Sequence, residues 1–345
     1  MKFPVRWLQI LSTFLLIALL TSPELVSAQP AQNPSSPSGA NPTEMSVNEE
    51  RLLQELGKLQ GRVTLPYQHA GVLQQPQGRS YQMFHEAWLP WIAGILILAT
   101  IAALAAFFFY RGRIRMKKDE LTGRTILRFN AFERFTHWMT ATCFIVLMIS
   151  GLNYIFGKRL LAPLMGPDAF ATWSQWAKYA HNFLSWPFML GILIMFVLWI
   201  RDNIPDKYDI PWIKAGGGFV GDKEPIAGRF NAGQKLVFWS VILFGVVLSA
   251  SGLMLLFPLA LLDVNGMQIA QYVHAGAGII LIAVILGHIY IGSLGMEGAY
   301  GAMGSGEVDL SWAMRHHRAW VEEQRAKGRI AGPPPGRRGR PAPAE

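Results

Sequence analysis

The chain has 345 residues, of which 51% are hydrophobic and only 15% are charged. The apolar residues stand in long runs, which is typical of an integral membrane protein. The formal net charge is +9, but the basic residues flank the apolar runs and the C-terminus, as membrane anchors do, so we expect no nucleic-acid binding. Cys143 is the only cysteine, which excludes a four-thiolate iron–sulfur cluster, an internal disulfide and haem attachment through CxxCH. Any redox centre must be held by histidine.

The N-terminal region is predicted to be exported. Residues 1–28 combine a basic start, an apolar run and VSA before Gln29, the pattern of a secretory signal peptide; an uncleaved anchor helix is the alternative. Residues 29–87 are predicted to be a periplasmic segment, partly disordered because its first part is rich in Pro, Ser, Asn and Gln. The leucines of residues 46–59 have helical spacing. His69 and His85 are interpreted as surface residues.

Five further apolar segments are long enough to cross a membrane. They cover about 88–110, 133–156, 179–200, 234–257 and 269–294. The basic run RGRIRMKK follows the first segment and, by the positive-inside rule, lies in the cytoplasm. The later segments then cross alternately outward and inward.

This topology predicts an all-α integral membrane fold. Residues 88–110 form an additional N-terminal transmembrane helix, 111–131 a cytoplasmic linker, 132–300 a four-helix bundle, and 301–345 a basic cytoplasmic tail. His316 and His317 belong to the tail and are interpreted as surface or headgroup contacts.

Four histidines lie in or near these spans, where histidine is costly and usually serves ions, protons, redox centres or polar packing. His274 and His288 are fourteen residues apart, close to four helical turns, so they share a helix face about 21 Å apart. The topology puts His181 and His274 near the outer face, and His137 and His288 near the inner face. The two histidines of each pair lie at the same predicted depth and belong to different helices.

Two imidazoles facing each other across a bundle suit an axial bis-histidine haem b. Gly276, Gly278 and Gly287 stand beside the histidines of the last helix and would let a macrocycle approach. Zinc usually needs three or four ligands, and no further ligand is expected at either level. A proton relay or polar packing is the remaining alternative.

Several segments resemble the cytochrome b (gamma) subunit of membrane-bound respiratory formate dehydrogenase over about residues 127–321. In chain order they read RFNAFERFTHWMTATCFIVLMISGLNY, DNIPDKYDIPW, RFNAGQKLVFWS, HAGAGIILIAVILGHIYIG and GEVDLSWAMRHHRAW. NIPDKYDIPW and NAGQK are the most specific within the wider group of cytochromes b. The compact members begin near position 120, so the resemblance assigns no role to the preceding segments.

The resemblance implies a four-helix transmembrane cytochrome b bundle with two haems b. His181 and His274 would be the axial ligands of the outer haem, and His137 and His288 those of the inner haem.

A menaquinone or ubiquinone site beside the inner haem is also implied. It would involve Asn231, Gly233 and Gln234, with His288 nearby. Asn and Gln side chains and a Gly-exposed amide can hydrogen bond a quinone carbonyl. The alternative interpretation is that Asn231 caps the following helix.

The implied role is to carry electrons across the bacterial inner membrane to quinone. The implied partners are an iron–sulfur (beta) subunit and a catalytic (alpha) subunit with molybdenum or tungsten, and the chain itself would carry no formate site. The mature N-terminus would be periplasmic and the C-terminus cytoplasmic. The alternatives are a cytochrome b subunit of a hydrogenase or thiosulfate-type reductase and, in another class, a non-redox transporter or scaffold.

Polar and aromatic residues at the span ends have weaker interpretations. The cations could neutralise haem propionates, but we interpret them as membrane anchors: Arg128, Arg134, Arg229 and Lys235. The aromatic residues are predicted to form a membrane-interface belt: Tyr179, Trp186, Trp199 and Trp239. Asn182 could orient the neighbouring His181.

Overall fold

The structure is a computed structural model that describes residues 76–116, 121–218 and 225–330. The predicted signal peptide, the predicted helix at 46–59 and His69 therefore lie outside the described residues.

Within the described residues, five helical segments are long and apolar enough to cross a membrane. The first joins α1 (Pro76–Met83), a π-helical turn (Phe84–Trp88) and α2 (Leu89–Arg111). The other four are α3 (Ala131–Leu160), α5 (Pro167–Trp199), α7 (Ala232–Leu256) and α8 (Val264–Tyr290), the last extended by a π-helical turn at Ile291–Gly295. Short helices α4 (Ala162–Met165) and α6 (Asp209–Lys214) lie in the connections.

Side-chain caps fix where three of the long helices begin. Asn130 and Asn231 start α3 and α7, and each forms a reciprocal capping box with the residue three positions later, Glu133 or Gln234. Asp263 starts α8 by accepting a hydrogen bond from the amide of Gly266. Such caps satisfy backbone N–H groups that have no partner inside the helix. Their polar turns extend the helices beyond the apolar runs from which the spans were predicted.

The predicted four-helix bundle is confirmed. Within the bundle, the closest backbone packing joins α3 with α5, α7 with α8, and α5 with α7. The additional helix, predicted at 88–110 and found at Leu89–Arg111, packs along α8 through Leu89, Ala93 and Ile279. Its helical continuation begins at Pro76, within the segment predicted as partly disordered.

The end of the bundle that is predicted to face the cytoplasm is closed by a folded unit that we call the inner cap. A two-stranded antiparallel sheet pairs β1 (Thr125–Leu127) with β2 (Glu307–Asp309). Helices α9 (Ala299–Gly304), α10 (Leu310–His316) and α11 (Arg318–Ala326) complete it.

The inner cap includes much of the predicted basic tail, where the apolar side chains of Trp312, Trp320 and Val321 are buried, and it corrects one prediction. His317 is 1% exposed, so its interpretation as a surface residue is wrong; its Nδ1 donates to the carbonyl of Gly228 at 2.9 Å. The neighbouring His316 is half-buried against the Trp312 ring.

The anchor and belt interpretations are also wrong for three residues. Arg128 and Lys235 are buried, and Lys235 forms ion pairs with Asp206 and Asp209 at 2.9 and 3.0 Å. Trp199 is buried as well, and its indole N–H donates to Glu133 at 2.8 Å. The ammonium group of Lys235 and the indole N–H of Trp199 have partners inside the protein, and Nη2 of Arg128 donates to the carbonyl of Arg229. These contacts remove the need to reach a membrane interface.

Candidate functional site

The structure brings the four span histidines together as two pairs. The ring centroids of His181 and His274 are 6.1 Å apart, with the ring planes inclined by 59°. Those of His137 and His288 are 6.0 Å apart, with an inclination of 58°. Both pairs share α8 and take their second ring from α5 or α3. Three of the rings are half-buried and His288 is exposed, so each pair retains free surface.

These spacings fit a metal ion held between the two rings of each pair. Two metal–imidazole bonds of about 2 Å, plus about 1.1 Å from each nitrogen to its ring centre, span about 6 Å. Among the described residues, no group of three or more His, Cys, Asp or Glu side chains could hold a metal ion. Each pair therefore offers two axial ligands and no equatorial ones. That donor set suits haem iron, whose macrocycle supplies the other four ligands, and does not suit zinc.

Two serines contact His181 and His274, the pair predicted to lie near the outer face, which we call the outer pair. Ser150 Oγ lies 2.8 Å from Nδ1 of His181, and Ser251 Oγ lies 3.0 Å from Nδ1 of His274. Each serine directs its single hydroxyl hydrogen to a backbone carbonyl one turn earlier in its own helix, at 2.7 Å for Ser150 and 2.6 Å for Ser251. In this arrangement the serine oxygen accepts from the ring, and we assign the ring hydrogen to Nδ1 on that basis. The Nε2 lone pair of both histidines is left for a metal.

A glycine follows each of these serines and lies against the same ring. A Cβ on Gly252 would come within 3.3 Å of Cε1 of His274, and one on Gly151 within 3.8 Å of Cε1 of His181. A larger side chain at Gly252 would crowd the ring, so the glycine permits the close approach of α7 to the imidazole.

Sequence reasoning missed these serines, although an internal repeat could have revealed them. SGL occurs at 150–152 and again at 251–253, and RFNA occurs at 128–131 and again at 229–232. Both motifs recur after 101 residues. Asn182, which was predicted to orient His181, offers its backbone carbonyl to Ser185 instead; the contact to Nδ1 comes from Ser150.

His137 and His288, the pair predicted to lie near the inner face, have a different environment; we call them the inner pair. Nδ1 of His137 is buried without a hydrogen-bond partner among the described residues. The His137 ring contacts Trp138 edge-on, with the centroids 5.1 Å apart. In the described part of the chain the His288 ring forms no side-chain hydrogen bond, so neither inner ring has a counterpart to Ser150 or Ser251.

The three residues predicted to bind quinone lie at the start of α7. The side-chain oxygens of Asn231 and Gln234 accept each other's backbone N–H groups at 2.9 and 3.1 Å. A Cβ on Gly233 would come within 2.9 Å of the Trp212 ring, so this glycine lets the ring pack on the helix. The alternative capping role of Asn231 is therefore present in the structure. Capping uses the amide oxygens and leaves the side-chain N–H donors of both residues without a partner among the described residues.

Charged groups are concentrated beneath the inner pair. Burial, together with the nearby charge of Arg229, lowers the pKa of the Arg128 guanidinium to about 9. The Arg128 guanidinium stacks over the rings of Trp320 and Phe129 at 5.3 and 5.4 Å. For Arg229, burial opposes the charge, but hydrogen bonds and ion pairs with Asp202 and Glu133 raise its pKa overall.

The fold is that of a membrane cytochrome b. The family of prokaryotic cytochrome b561 matches residues 128–306, just over half of the chain, and the chain belongs to this family. The matched region contains all four histidines and excludes α1 and α2.

Curated relatives are similar over the same part of the chain. The formate dehydrogenase cytochrome b556(fdo) subunit of Escherichia coli is 36% identical over 205 residues, which cover 58% of this chain and 94% of the relative. The cytochrome b556(Fdn) subunit of the nitrate-inducible formate dehydrogenase of the same organism is 32% identical and 92% covered. The formate dehydrogenase cytochrome b556 subunit of Haemophilus influenzae is 28% identical and 88% covered.

Proposed function

We propose that this chain is the membrane cytochrome b subunit of a formate dehydrogenase and binds two haems b. The outer haem would be held by His181 and His274, and the inner one by His137 and His288. The observation that carries the proposal is the pair of ring-centroid distances, 6.1 and 6.0 Å, within the region that matches the family.

A bound haem b supplies reversible one-electron transfer at its iron. The chain supplies the ligands, their orientation and the spacing. Ser150 and Ser251 contact Nδ1 of the outer rings and, by holding the proton there, would leave Nε2 free to bind the iron. Helix α8 carries one histidine of each pair, and its fourteen-residue interval separates the pairs by about 21 Å along the helix axis. The chain thereby provides two redox sites at different depths of the membrane.

We place the inner pair on the cytoplasmic side of the bacterial inner membrane. Helix α2 ends at Arg111, and Arg113 and Arg115 follow it; basic residues are enriched in cytoplasmic connections. The isolated β-bridge between Ile114 and Met296 brings this basic segment to the end of α8 that carries His288. The mature N-terminus is then periplasmic and the C-terminus cytoplasmic.

The same orientation of the chain predicts on which side of the membrane the partner subunits lie. Electrons would come from a periplasmic iron–sulfur subunit, which receives them from a catalytic subunit with molybdenum or tungsten. This expectation rests on the names of the relatives, which are subunits of formate dehydrogenases. On this proposal the chain has no formate site and contributes the quinone-reducing end of the enzyme.

The proposed electron acceptor is menaquinone or ubiquinone at the start of α7. The side-chain N–H donors of Asn231 and Gln234 could hydrogen bond a quinone carbonyl while their oxygens cap the helix. Both residues are half-buried, so a ligand can reach them. Gly233 shapes the site by holding Trp212 against the helix.

Purification of the intact complex tests this function. We expect two haems b per chain by the pyridine haemochrome assay, and a formate dehydrogenase catalytic subunit and an iron–sulfur subunit among the co-purified proteins. His274→Ala should remove one haem and His137→Ala the other, with different absorption and potential. A colourless wild-type preparation would support a non-redox membrane protein, and co-purification of a hydrogenase or a thiosulfate-type reductase would reassign the partner.

A further inference from the structure

The two histidine pairs differ in the hydrogen bonds that the protein supplies to Nδ1. Both outer rings have a serine hydroxyl at Nδ1, 2.8 Å from His181 and 3.0 Å from His274. Among the described residues, neither inner ring has such a partner, and Nδ1 of His137 is buried without one. All four ligands are histidines, so the axial residue type is the same at both levels.

A hydrogen bond from Nδ1–H increases electron density on the imidazole and makes Nε2 a more basic ligand. A more basic axial ligand favours the oxidised, more positive iron and lowers its reduction potential. The serine oxygen is a good acceptor, because its own hydrogen is already donated to a backbone carbonyl and the two hydrogen bonds polarise each other. The outer site should therefore have the lower potential.

We propose that Ser150 and Ser251 are positioning residues that lower the reduction potential of the outer site relative to the inner one. The inference rests on the proposed haem ligation. The resulting order of potentials, lower outside and higher inside, follows the proposed direction of electron flow toward quinone. The direction of electron flow is then set by two serine hydroxyl groups on α3 and α7, and not by a difference between the axial residues.

Positive charge near the inner pair would also make the reduction potential of the inner site higher than that of the outer site. Arg134 lies one turn before His137 on α3, and its Nη1 donates to the carbonyl of Gly304 at 2.8 Å. Such a cation stabilises the reduced form electrostatically and raises the inner potential. Substitution of the serines leaves this charge in place, so their effect on the outer potential can be measured separately.

The test is a spectroelectrochemical titration of the purified complex, which does not depend on turnover. Ser150→Ala and Ser251→Ala should each raise the midpoint potential of the outer site, the double variant should raise it further, and the inner midpoint should stay unchanged. Ser150→Thr and Ser251→Thr keep the hydroxyl and should restore the wild-type value. The same titration is repeated in a His137→Ala background, where only the outer centre is expected to remain. A shift of the midpoint potential in that background belongs to the outer site.

Ser249→Ala is the matched control. Ser249 lies on α7 two residues before Ser251, is half-buried, and donates to the carbonyl of Gly245 at 2.6 Å in the same way. Its hydroxyl has no histidine contact among the described residues, so its loss should leave both potentials unchanged.

The outcomes separate this inference from the proposed function. A wild-type complex without haem overturns the haem ligation itself. Full haem content with an unchanged outer midpoint in the double alanine variant overturns the role of the serines, as does an equal shift in Ser249→Ala. If an alanine variant loses the outer haem, the corresponding cysteine variant is titrated instead, because its sulfur is a weaker acceptor of similar position; it too must raise the outer midpoint.

Discussion

Arg128 and Arg229 each bind the backbone of the other. The Arg128 guanidinium donates to the carbonyl oxygen of Arg229 at 2.6 Å, and Arg229 donates in return to the carbonyl oxygen of Arg128 at 3.2 Å. The two arginines open the repeated RFNA motifs, and the rings of Phe129 and Phe230 that follow them are also in contact, at 5.8 Å. The two halves of the bundle are thus joined at the inner end by corresponding residues of a repeat.

This junction predicts that Arg128 stabilises the inner cap. Arg128→Ala removes the hydrogen bond to Arg229 and the stacking on Trp320, and leaves buried space. We expect a loss of about 2 kcal/mol or more in the free energy of unfolding. The measurement is the thermal unfolding midpoint of the complex together with the rate of proteolysis of residues 299–326.

Arg318→Ala is the control for that experiment. Arg318 is exposed, and among the described residues its side chain forms only an i,i+4 ion pair with Glu322, so its loss should change stability by no more than about 0.5 kcal/mol. Equal effects of the two substitutions would contradict the role of Arg128 at the junction.

The two roles of Asn231 can be separated by one substitution. Asn231→Asp keeps an oxygen that caps α7 and removes the side-chain N–H donors, whereas Asn231→Ala removes both and should cost about 1 kcal/mol of stability. If the N–H donors bind quinone, the aspartate variant should retain the wild-type unfolding midpoint and show a raised KM for quinone.

Asn130 supplies the matched position at the start of α3. Asn130→Asp changes the equivalent cap and should affect neither stability nor KM, because no quinone contact is proposed there. A wild-type KM in Asn231→Asp would remove Asn231 from the proposed quinone site and leave capping as its only role.

Acid should destabilise the inner cap. Burial, together with the charge of Arg128, lowers the pKa of His317 well below 6.5, and burial with the charges of Arg315 and Arg128 lowers that of His316 to about 4. Below pH 6.5 the unfolded chain then binds more protons than the folded one, so the stability falls as the pH falls from about 6.5 toward 4. Unfolding midpoints at a series of pH values measure this slope.

A variant that cannot titrate tests which group is responsible. His317→Gln should reduce the slope of stability against pH on the acid side, because the glutamine stays neutral in the folded and unfolded states. An unchanged slope in this variant would assign the pH dependence to other groups.

The additional helix should depend on a small residue where it meets α8. Ala93 is 0% exposed in the contact formed with Leu89 and Ile279. Ala93→Leu therefore overfills the contact, and we expect a cost of about 1–3 kcal/mol. Ala102 lies on the same helix and is exposed, so Ala102→Leu should have little effect; the readout is the unfolding midpoint at unchanged haem content.

Local patterns in the sequence determined much of the fold. The apolar runs predicted four spans of the bundle and one additional helix, because the length needed to cross a membrane is a property of contiguous residues. The helical period placed His274 and His288 on one face, and alternating topology assigned the depth of each histidine. The helix boundaries extended beyond these predictions where Asn130, Asn231 and Asp263 cap polar turns outside the apolar runs.

Only the tertiary structure decided which groups meet across the bundle. Ser150 and Ser251 are ordinary helix residues in the sequence, and the packing of α3 on α5 and of α7 on α8 brings their hydroxyls to His181 and His274. Arg128 and His317 looked like membrane-surface residues because they lie in basic stretches. They are buried because the chain beyond α8 folds back onto the start of α3, a contact between residues nearly two hundred positions apart that no local pattern encodes.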